Sequence, residues 1–145
     1  MATAELHEVV SESLDPAIFD DSAAFIRAVR RGVPGSVVRE AITALGNTPE
    51  ARELFVTLLE TTSGNLHRYY KRAALGRTES EKVLDTLRLV HYAQAVFDDA
   101  ELAADWLATP VAALAGETPL SLCDTFQGRR LVRDALGKIE YGEFS

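Results

Sequence analysis

The sequence predicts an all-α protein built from two helical modules. Helix-forming residues dominate its length, and apolar residues recur three or four positions apart in segments that end at glycine or proline. No segment shows the sustained alternation of apolar and polar residues that is typical of a half-buried strand. Hydrophobic residues make up 47% and charged residues 26% of the 145 positions, which is the composition of a folded domain and not of a disordered chain.

Charge is distributed unevenly along the chain and predicts three regions. An acidic N-terminal lead, residues 1–24, holds six acidic residues and no Lys or Arg. Residues 25–77 hold nine basic and four acidic residues, whereas residues 78–145 hold six basic and twelve acidic residues. The middle region is therefore basic although the net charge is −7, which favours a polyanionic partner there and a different partner for the last region.

Three further features indicate where the protein works. There is no run of roughly eighteen or more apolar residues, so we expect no membrane span. The first residues lack the basic and apolar stretches of a secretory signal. Cys123 is the single cysteine, so an internal disulfide is impossible and we expect a cytoplasmic protein.

Three helices are predicted at the start of the chain's basic region, over residues 21–32, 34–46 and 48–60. Ser36 is the expected cap of the second, and Thr48 and Pro49 are a strong start signal for the third. Their apolar stripes comprise Phe25, Ile26 and Val29 in the first helix, Val37, Val38, Ala41, Ile42 and Leu45 in the second, and Leu54, Phe55, Leu58 and Leu59 in the third.

A fourth, basic helix is predicted over residues 62–75, about three residues after the helix that starts at Pro49. This spacing is typical of a helix-turn-helix, whose second helix enters the DNA major groove. The side chains expected to pack inward are Leu66, Ala73 and either Tyr69 or Tyr70. The side chains expected to contact DNA are Asn65, His67, Arg68, Lys71 and Arg72.

The same spacing also fits a solvated basic face in a helical bundle, and both interpretations stay open. The turn carries Glu60 where such motifs usually place glycine, and Thr61 where an apolar anchor is usual. These two departures count against DNA binding. A third interpretation therefore stays open, in which the protein is an adaptor that does not bind DNA.

Residues 76–82 are polar and begin with glycine, so we predict the joint between the two modules there. Thr78 or Ser80 is the expected cap of the helix that follows. Beyond the joint we predict helices over residues 80–97 and 98–109, the second with Asp98 or Asp99 as its cap. A single turn over 111–116, a restart at Thr118 and Pro119, and a last helix from Phe126 follow. The expected inward side chains are Leu102, Trp106 and Leu107 before the single turn, and Leu131, Val132, Ala135, Leu136 and Ile139 in the last helix.

Many residues of this last region follow one another in a distinctive order: Phe97, Asp99, Ala103, Trp106, Leu107, Pro110, Leu114, Gly116, Thr118, Pro119, Gly128, Val132, Leu136, Gly137, Ile139 and Gly142. This order resembles the toxin-binding domain of Xre/MbcA/ParS-type antitoxins, the partners of RES-domain toxins. The resemblance covers residues 79–145, and residues 25–77 look like the family's helix-turn-helix module. The chain departs from the pattern at Asp98 and Ala115, where glycine is usual.

The resemblance implies an N-terminal helix-turn-helix module, residues 25–77, followed by a small helical toxin-binding domain, residues 78–145. Within the second domain, Pro110 would end one helix and Gly116 would permit a left-handed turn. Leu120 is expected in the interior of this elbow. The expected structural core of the domain is Phe97, Trp106, Leu107, Pro110, Leu114, Gly116 and Pro119.

The resemblance also implies that the end of the chain lies against the toxin and obstructs a cleft that consumes NAD. NAD carries a pyrophosphate, so that cleft should hold cationic groups. We expect Glu140, Glu143 and the Ser145 carboxylate to meet those groups, and Tyr141 and Phe144 to fill apolar pockets. The alternative is that both aromatic rings fold back on the protein's own core. The predicted segment, in which Gly137 and Gly142 bracket a short piece, comprises Lys138, Ile139, Glu140, Tyr141, Gly142, Glu143, Phe144 and Ser145.

No catalytic motif is present in the sequence. His7, His67 and His91 are far apart and have no metal-ligand spacing, and neither common glycine-rich phosphate motif occurs. Cys123 has no sequence neighbour to act as its base, and we expect it to be a small core residue. We therefore expect no enzyme, no metal and no cofactor.

Taken with the resemblance, these features favour an antitoxin that neutralises a RES-domain toxin and binds the operator of its own operon. Family members tend to dimerise, and a homodimer would match the two half-sites that a helix-turn-helix usually reads. The alternative is a free-standing transcriptional regulator whose C-terminal domain only dimerises.

Overall fold

The computed structural model describes residues 13–142. These residues form eight α-helices: α1 (Ser22–Arg31), α2 (Ser36–Ala44), α3 (Pro49–Leu58), α4 (Leu66–Tyr70), α5 (Arg77–Phe97), α6 (Ala100–Leu107), α7 (Pro119–Leu122) and α8 (Phe126–Glu140). Two short 3-10 helices span Pro16–Phe19 and Ala112–Leu114. None of the described residues lies in a β-strand, so the predicted all-α class is confirmed for this part of the chain. Over the same range, no helix combines the length and the apolar character needed to cross a membrane.

The fold is organised around α5, the longest helix of the described chain. It packs against α1, α3, α6 and α8 and against the first 3-10 helix. One continuous cluster of buried apolar side chains extends from Leu14 to Leu136 and includes residues of both predicted modules. Of residues 76–82, predicted as the joint, Gly76 precedes α5 as its cap residue and residues 77–82 form the first turns of that helix.

Three helices begin at caps that the sequence predicts. Thr48, Asp99 and Thr118 each accept a backbone N–H with a side-chain oxygen, at distances of 3.2, 2.8 and 3.2 Å respectively. The prediction for Ser36 is wrong, because Ser36 is the first residue of α2 and Gly35 precedes it as the cap residue.

The start of α5 also differs from the prediction. Its cap residue is Gly76, whose N–H donates to the Glu79 carboxylate at 3.0 Å, so neither Thr78 nor Ser80 is the cap. Ser80 is fully buried, accepts the Val33 N–H at 3.0 Å and donates to the Leu75 carbonyl at 3.4 Å. This hydroxyl therefore joins α5 to two segments of the basic region.

Three apolar residues that we expected inside are exposed. Ile26, Leu102 and Leu131 have 46%, 54% and 44% of their surface accessible. Each of these residues lies at the edge of the apolar stripe of its helix. The neighbouring helices cover only the middle of that stripe, which is narrower than the sequence pattern suggests.

The proline-containing elbow between α6 and α7 packs in the expected way only in part. Leu107, Leu114 and Leu120 are buried, and Pro119 is buried at the start of α7. Trp106 is half-buried, and so is Phe97, whose ring centroid lies 5.8 Å from that of the indole. Pro110 and Gly116, which we had grouped with the core, are exposed because they shape the turn and contribute no buried surface.

Cys123 is buried near this elbow, as predicted for a small core residue. Its Sγ lies 3.3 Å from the Pro119 carbonyl oxygen, and burial raises the pKa of its thiol to about 12. The thiol is therefore neutral near neutral pH and is a poor nucleophile.

Four of the described residues other than glycine lie in the left-handed region, Asn47 at a φ of +56° and three more. Glu60, Asp98 and Ala115 have φ angles of +53°, +51° and +59°. These are the three positions where the motif or the family pattern leads us to expect glycine. A left-handed backbone conformation costs an L-residue about 1–2 kcal/mol. The fold therefore imposes this conformation on three residues that do not favour it.

We predict that Ala115→Gly stabilises the protein. Glycine relieves the left-handed strain but adds freedom to the unfolded chain, so the net gain is up to about 1 kcal/mol. Ala113→Gly, in the adjacent 3-10 helix and equally exposed, is the matched control and should lose about 0.5–1 kcal/mol. Urea unfolding followed by circular dichroism measures both changes. Equal destabilisation by the two substitutions would contradict the prediction.

Candidate partner-binding surfaces

The predicted basic helix is much shorter than the sequence suggests. Only Leu66–Tyr70 is α-helical, in place of the predicted 62–75, and residues 59–65 connect it to α3. Asn65 donates its N–H to Thr62, at 3.2 Å to the hydroxyl and 3.0 Å to the carbonyl. These local bonds form a turn where a longer helix was predicted, because threonine hydroxyls compete with helical hydrogen bonding.

The short helix α4 is fixed to the protein through its backbone. Leu66 is fully buried, and the Gly35 N–H donates to the Arg72 carbonyl at 2.9 Å. A Cβ atom on Gly35 would lie 1.7 Å from the Tyr69 carbonyl oxygen, so only glycine permits this approach. The basic helix is thus held in one position against the start of α2.

Ala73, expected to pack inward, is exposed, and this prediction is wrong. The helix has already ended at Tyr70, so the helical periodicity no longer applies, and Leu75 is buried in its place. Tyr69 and Tyr70 are both half-buried.

The five residues predicted to contact DNA are all exposed, and we call this set the basic surface: Asn65, His67, Arg68, Lys71 and Arg72. Arg72 is also engaged within the protein. Its guanidinium lies 4.0 Å from the Tyr69 ring centroid and 3.6 Å from the Glu79 carboxylate. The arrangement presents several cations on about one helical turn, which suits contact with phosphate groups.

The predicted toxin-binding segment divides into two parts. Helix α8 continues through Gly137, so Lys138, Ile139 and Glu140 are helical, and the prediction that Gly137 starts a separate piece is wrong. Tyr141 and Gly142 follow the helix, with Gly142 at a φ of +68°. Glu143, Phe144 and Ser145 lie outside the described residues.

The side chains around this segment differ in exposure. Tyr141 has 75% of its surface accessible, whereas Ile139 is half-buried. Glu140 accepts a hydrogen bond of 2.9 Å from the Tyr92 hydroxyl on α5. Burial and the Glu140 carboxylate raise the pKa of Tyr92 to about 12, so the phenol stays protonated and keeps donating.

Helix α8 is attached to α5 through the buried carboxylate of Asp85. Arg129 Nε lies 2.6 Å from Asp85 Oδ2, and Arg129 Nη1 donates to the Cys123 carbonyl at 2.8 Å. Arg88 Nη2 donates to Asp85 Oδ1 at 2.9 Å. Burial favours the neutral acid, but the hydrogen bonds from Arg129 and Arg88 outweigh it and hold the pKa of Asp85 below its ordinary value of 3.8.

This cluster was missed in the sequence analysis. The spacing of Asp85 and Arg88 is a signal for a pair on one helix surface. Arg129 lies on another helix far along the chain, and no local pattern connects it to Asp85. We had assigned no role to any of these three residues.

Comparison with known proteins identifies two similarities. Residues 93–142 match the family described as the antitoxin Xre/MbcA/ParS C-terminal toxin-binding domain. The chain is also 31% identical, over 134 residues, to the Prs ADP-ribosylating antitoxin of Sphingobium sp. (strain YBL2). That alignment covers 83% of this chain and 80% of the relative.

We predict that Asp85→Asn destabilises the protein by about 3 kcal/mol, because it leaves the buried Arg129 without its charge partner. Asp134→Asn removes an exposed carboxylate from α8 and should change the free energy of unfolding by less than about 0.5 kcal/mol. Denaturant unfolding at pH 7 measures the free energy of unfolding of both variants.

The difference between wild type and Asp85→Asn should also depend on pH. The folded-state pKa of Asp85 is lowered, so its stabilisation is present above the ordinary pKa of 3.8 and is lost as pH falls through the folded value. An unchanged midpoint for Asp85→Asn at neutral pH would show that the ion pair contributes nothing.

Proposed function

Because this chain belongs to the Xre/MbcA/ParS family of antitoxins, we propose that it neutralises a RES-domain toxin that degrades NAD, with residues 138–145 blocking the toxin's active site. The name of the Sphingobium relative includes ADP-ribosylation, and that reaction takes its ADP-ribose from NAD. This chemistry supports a partner with an NAD-binding cleft. In this proposal the chain acts by binding and not by catalysis.

The observation that carries the proposal is the exposure of Tyr141 directly after α8. Exposed aromatic side chains are frequent anchors of protein interfaces because they bury a large area at a small entropic cost. Val132 and Leu136 are fully buried and hold α8 in the core, so Tyr141 projects from a rigid base. This exposure disfavours the alternative that Tyr141 packs on the protein's own core.

The acidic groups of residues 138–145 would have different roles. Glu140 is engaged with Tyr92, which supports a role in holding the end of α8. Glu143 then remains to meet the cationic groups that bind the NAD pyrophosphate, through charge-assisted hydrogen bonds. Phe144 would enter an apolar pocket beside them.

We predict that a chain ending at Glu140 loses at least about tenfold in inhibition of its toxin, since residues 141–145 would supply an interface hot spot. A toxin encoded beside this gene, co-expressed and purified, allows NAD consumption to be measured at increasing antitoxin concentration. A full-length control with glycine and serine at positions 141–145 separates the effect of the side chains from that of chain length.

Both altered chains should keep the circular dichroism and unfolding midpoint of the wild type, because α8 remains complete. Copurification reports binding separately from inhibition. If either altered chain inhibits as strongly as the wild type, the proposed role of the segment is wrong.

We also propose that the basic surface binds the operator of the chain's own operon as a homodimer. The exposed cations Arg68 and Lys71 support contact with DNA phosphates, and two copies would occupy two half-sites. The left-handed φ of Glu60 supports a helix-turn-helix reading, because this is the backbone conformation for which such turns use glycine.

We predict that Arg68→Ala and Lys71→Ala weaken binding to DNA from the chain's own promoter. Each loss of a phosphate contact should lower the slope of log affinity against log salt by about one. Arg130→Ala is the control, since it removes an exposed positive charge from α8. Fluorescence anisotropy at several salt concentrations measures all three variants. Equal slopes for Arg68→Ala, Lys71→Ala and Arg130→Ala would rule out a specific role for the basic surface.

A further inference from the structure

A cavity of about 580 Å³ lies between α5, α8 and the first 3-10 helix. Small-molecule sites typically enclose roughly 300–1,000 Å³, so this cavity has the size of a ligand site. Its lining includes Phe19, Asp20, Arg88, His91, Tyr92 and Arg133.

Two lining residues of the cavity, Arg88 and Arg133, belong to the cluster around Asp85, which itself lies outside the lining. The two oxygens of Asp85 are occupied by Arg129 at 2.6 Å and Arg88 at 2.9 Å. Arg133 Nη2 is 3.9 Å from Asp85 Oδ1, which is too far for a hydrogen bond. Three guanidinium groups therefore surround one carboxylate, and two positive charges remain in excess.

Arg133 is the clearest sign of this imbalance. Its Nη2 atom is buried and has no hydrogen-bond acceptor among residues 13–142. Arginines in proteins stay protonated, and a buried donor atom without an acceptor is costly, while the Arg133 side chain as a whole is 35% accessible and lines the cavity. An anion in the cavity would compensate the charge of this side chain.

The negative groups near the cavity do not pair with Arg133. Asp20 lines the cavity but is exposed, and Glu140 accepts from Tyr92 at 2.9 Å. Within the described residues, the ion pair at 3.9 Å with Asp85 is the one that Arg133 forms.

Arg88 is held in place on the same wall. Its guanidinium carbon lies 4.2 Å from the Phe25 ring centroid, and its Nη2 is bonded to Asp85. Because the Phe25 ring and the Asp85 carboxylate both restrain its side chain, Arg88 loses less conformational entropy when it binds a ligand.

The other wall is aromatic. The Phe19 and His91 rings stack with centroids 4.3 Å apart and planes inclined by 9°, so they form one flat aromatic unit. Cationic and flat aromatic walls on one cavity suit a ligand with an anionic group and a planar group.

We propose that this cavity binds a phosphate-type oxyanion, held by Arg88 and Arg133. The planar guanidinium fork matches the oxygens of phosphate groups better than any other side chain. The phosphate has two potential sources, an inorganic phosphate or a nucleotide whose base lies against Phe19 and His91. The site uses residues that our proposed antitoxin and operator surfaces leave unassigned.

Isothermal titration calorimetry of the full chain, in a buffer free of phosphate and sulfate, tests the proposal. The probes are pyrophosphate, ADP and adenosine, with sodium chloride at equal ionic strength as the blank. We expect binding of pyrophosphate and ADP, and about tenfold or more weaker binding for Arg133→Gln. Arg130→Gln, which removes an exposed charge from the same helix, should bind like the wild type.

A second variant guards against a folding defect in Arg133→Gln. Ala95 is exposed on the cavity lining, so Ala95→Glu adds a carboxylate there without disturbing the Asp85 cluster. It should abolish pyrophosphate binding while leaving the unfolding midpoint unchanged.

The probes also distinguish the two sources. Equal affinities for pyrophosphate and ADP indicate a site for the phosphate group alone, whereas tighter binding of ADP indicates a nucleotide site. Binding of adenosine without pyrophosphate overturns the proposal. So does the absence of heat with every probe at millimolar concentration, or equal affinity for Arg133→Gln and Arg130→Gln.

Discussion

The buried carboxylate of Asp85 is the interaction on which the C-terminal half of the protein depends. It lies between α5 and α8, and the hydrogen bonds from Arg129 and Arg88 hold it in the ionised state. A buried charge tolerates only the geometry that keeps it paired, so this cluster fixes how α8 crosses α5. The elbow is attached to the same point, because Arg129 also donates to the carbonyl of Cys123.

Local chemistry explains which parts of the fold were predictable. The helices capped by Thr48, Asp99 and Thr118 start where expected, because a cap acts within three residues of itself. The length of α4 was overestimated because the turn around Thr62 competes with the helix. The pairing of Asp85 with Arg129 could not be predicted, since residues 44 positions apart leave no pattern in one sequence.

The candidate surfaces were predictable to a similar extent. Residue type predicted that the basic surface is exposed, whereas helical spacing did not hold beyond Tyr70. Gly137, expected to bracket a short separate piece, lies inside α8, because a single glycine is tolerated within a helix. The cavity beside Arg133 was not predicted at all, because it forms only where α5, α8 and the first 3-10 helix meet.

The single helix α5 has a consequence for how this architecture can vary. It contacts both α1, near the basic surface, and α8, which carries Tyr141, without a flexible segment between them. Inserting or deleting one residue in its middle would rotate one half against the other by about 100° and shift it by about 1.5 Å. Such a change would misalign Asp85 with Arg129 and turn the two proposed binding surfaces relative to each other. We therefore expect related chains to differ in the side chains of this helix but to keep the number of residues between its two ends.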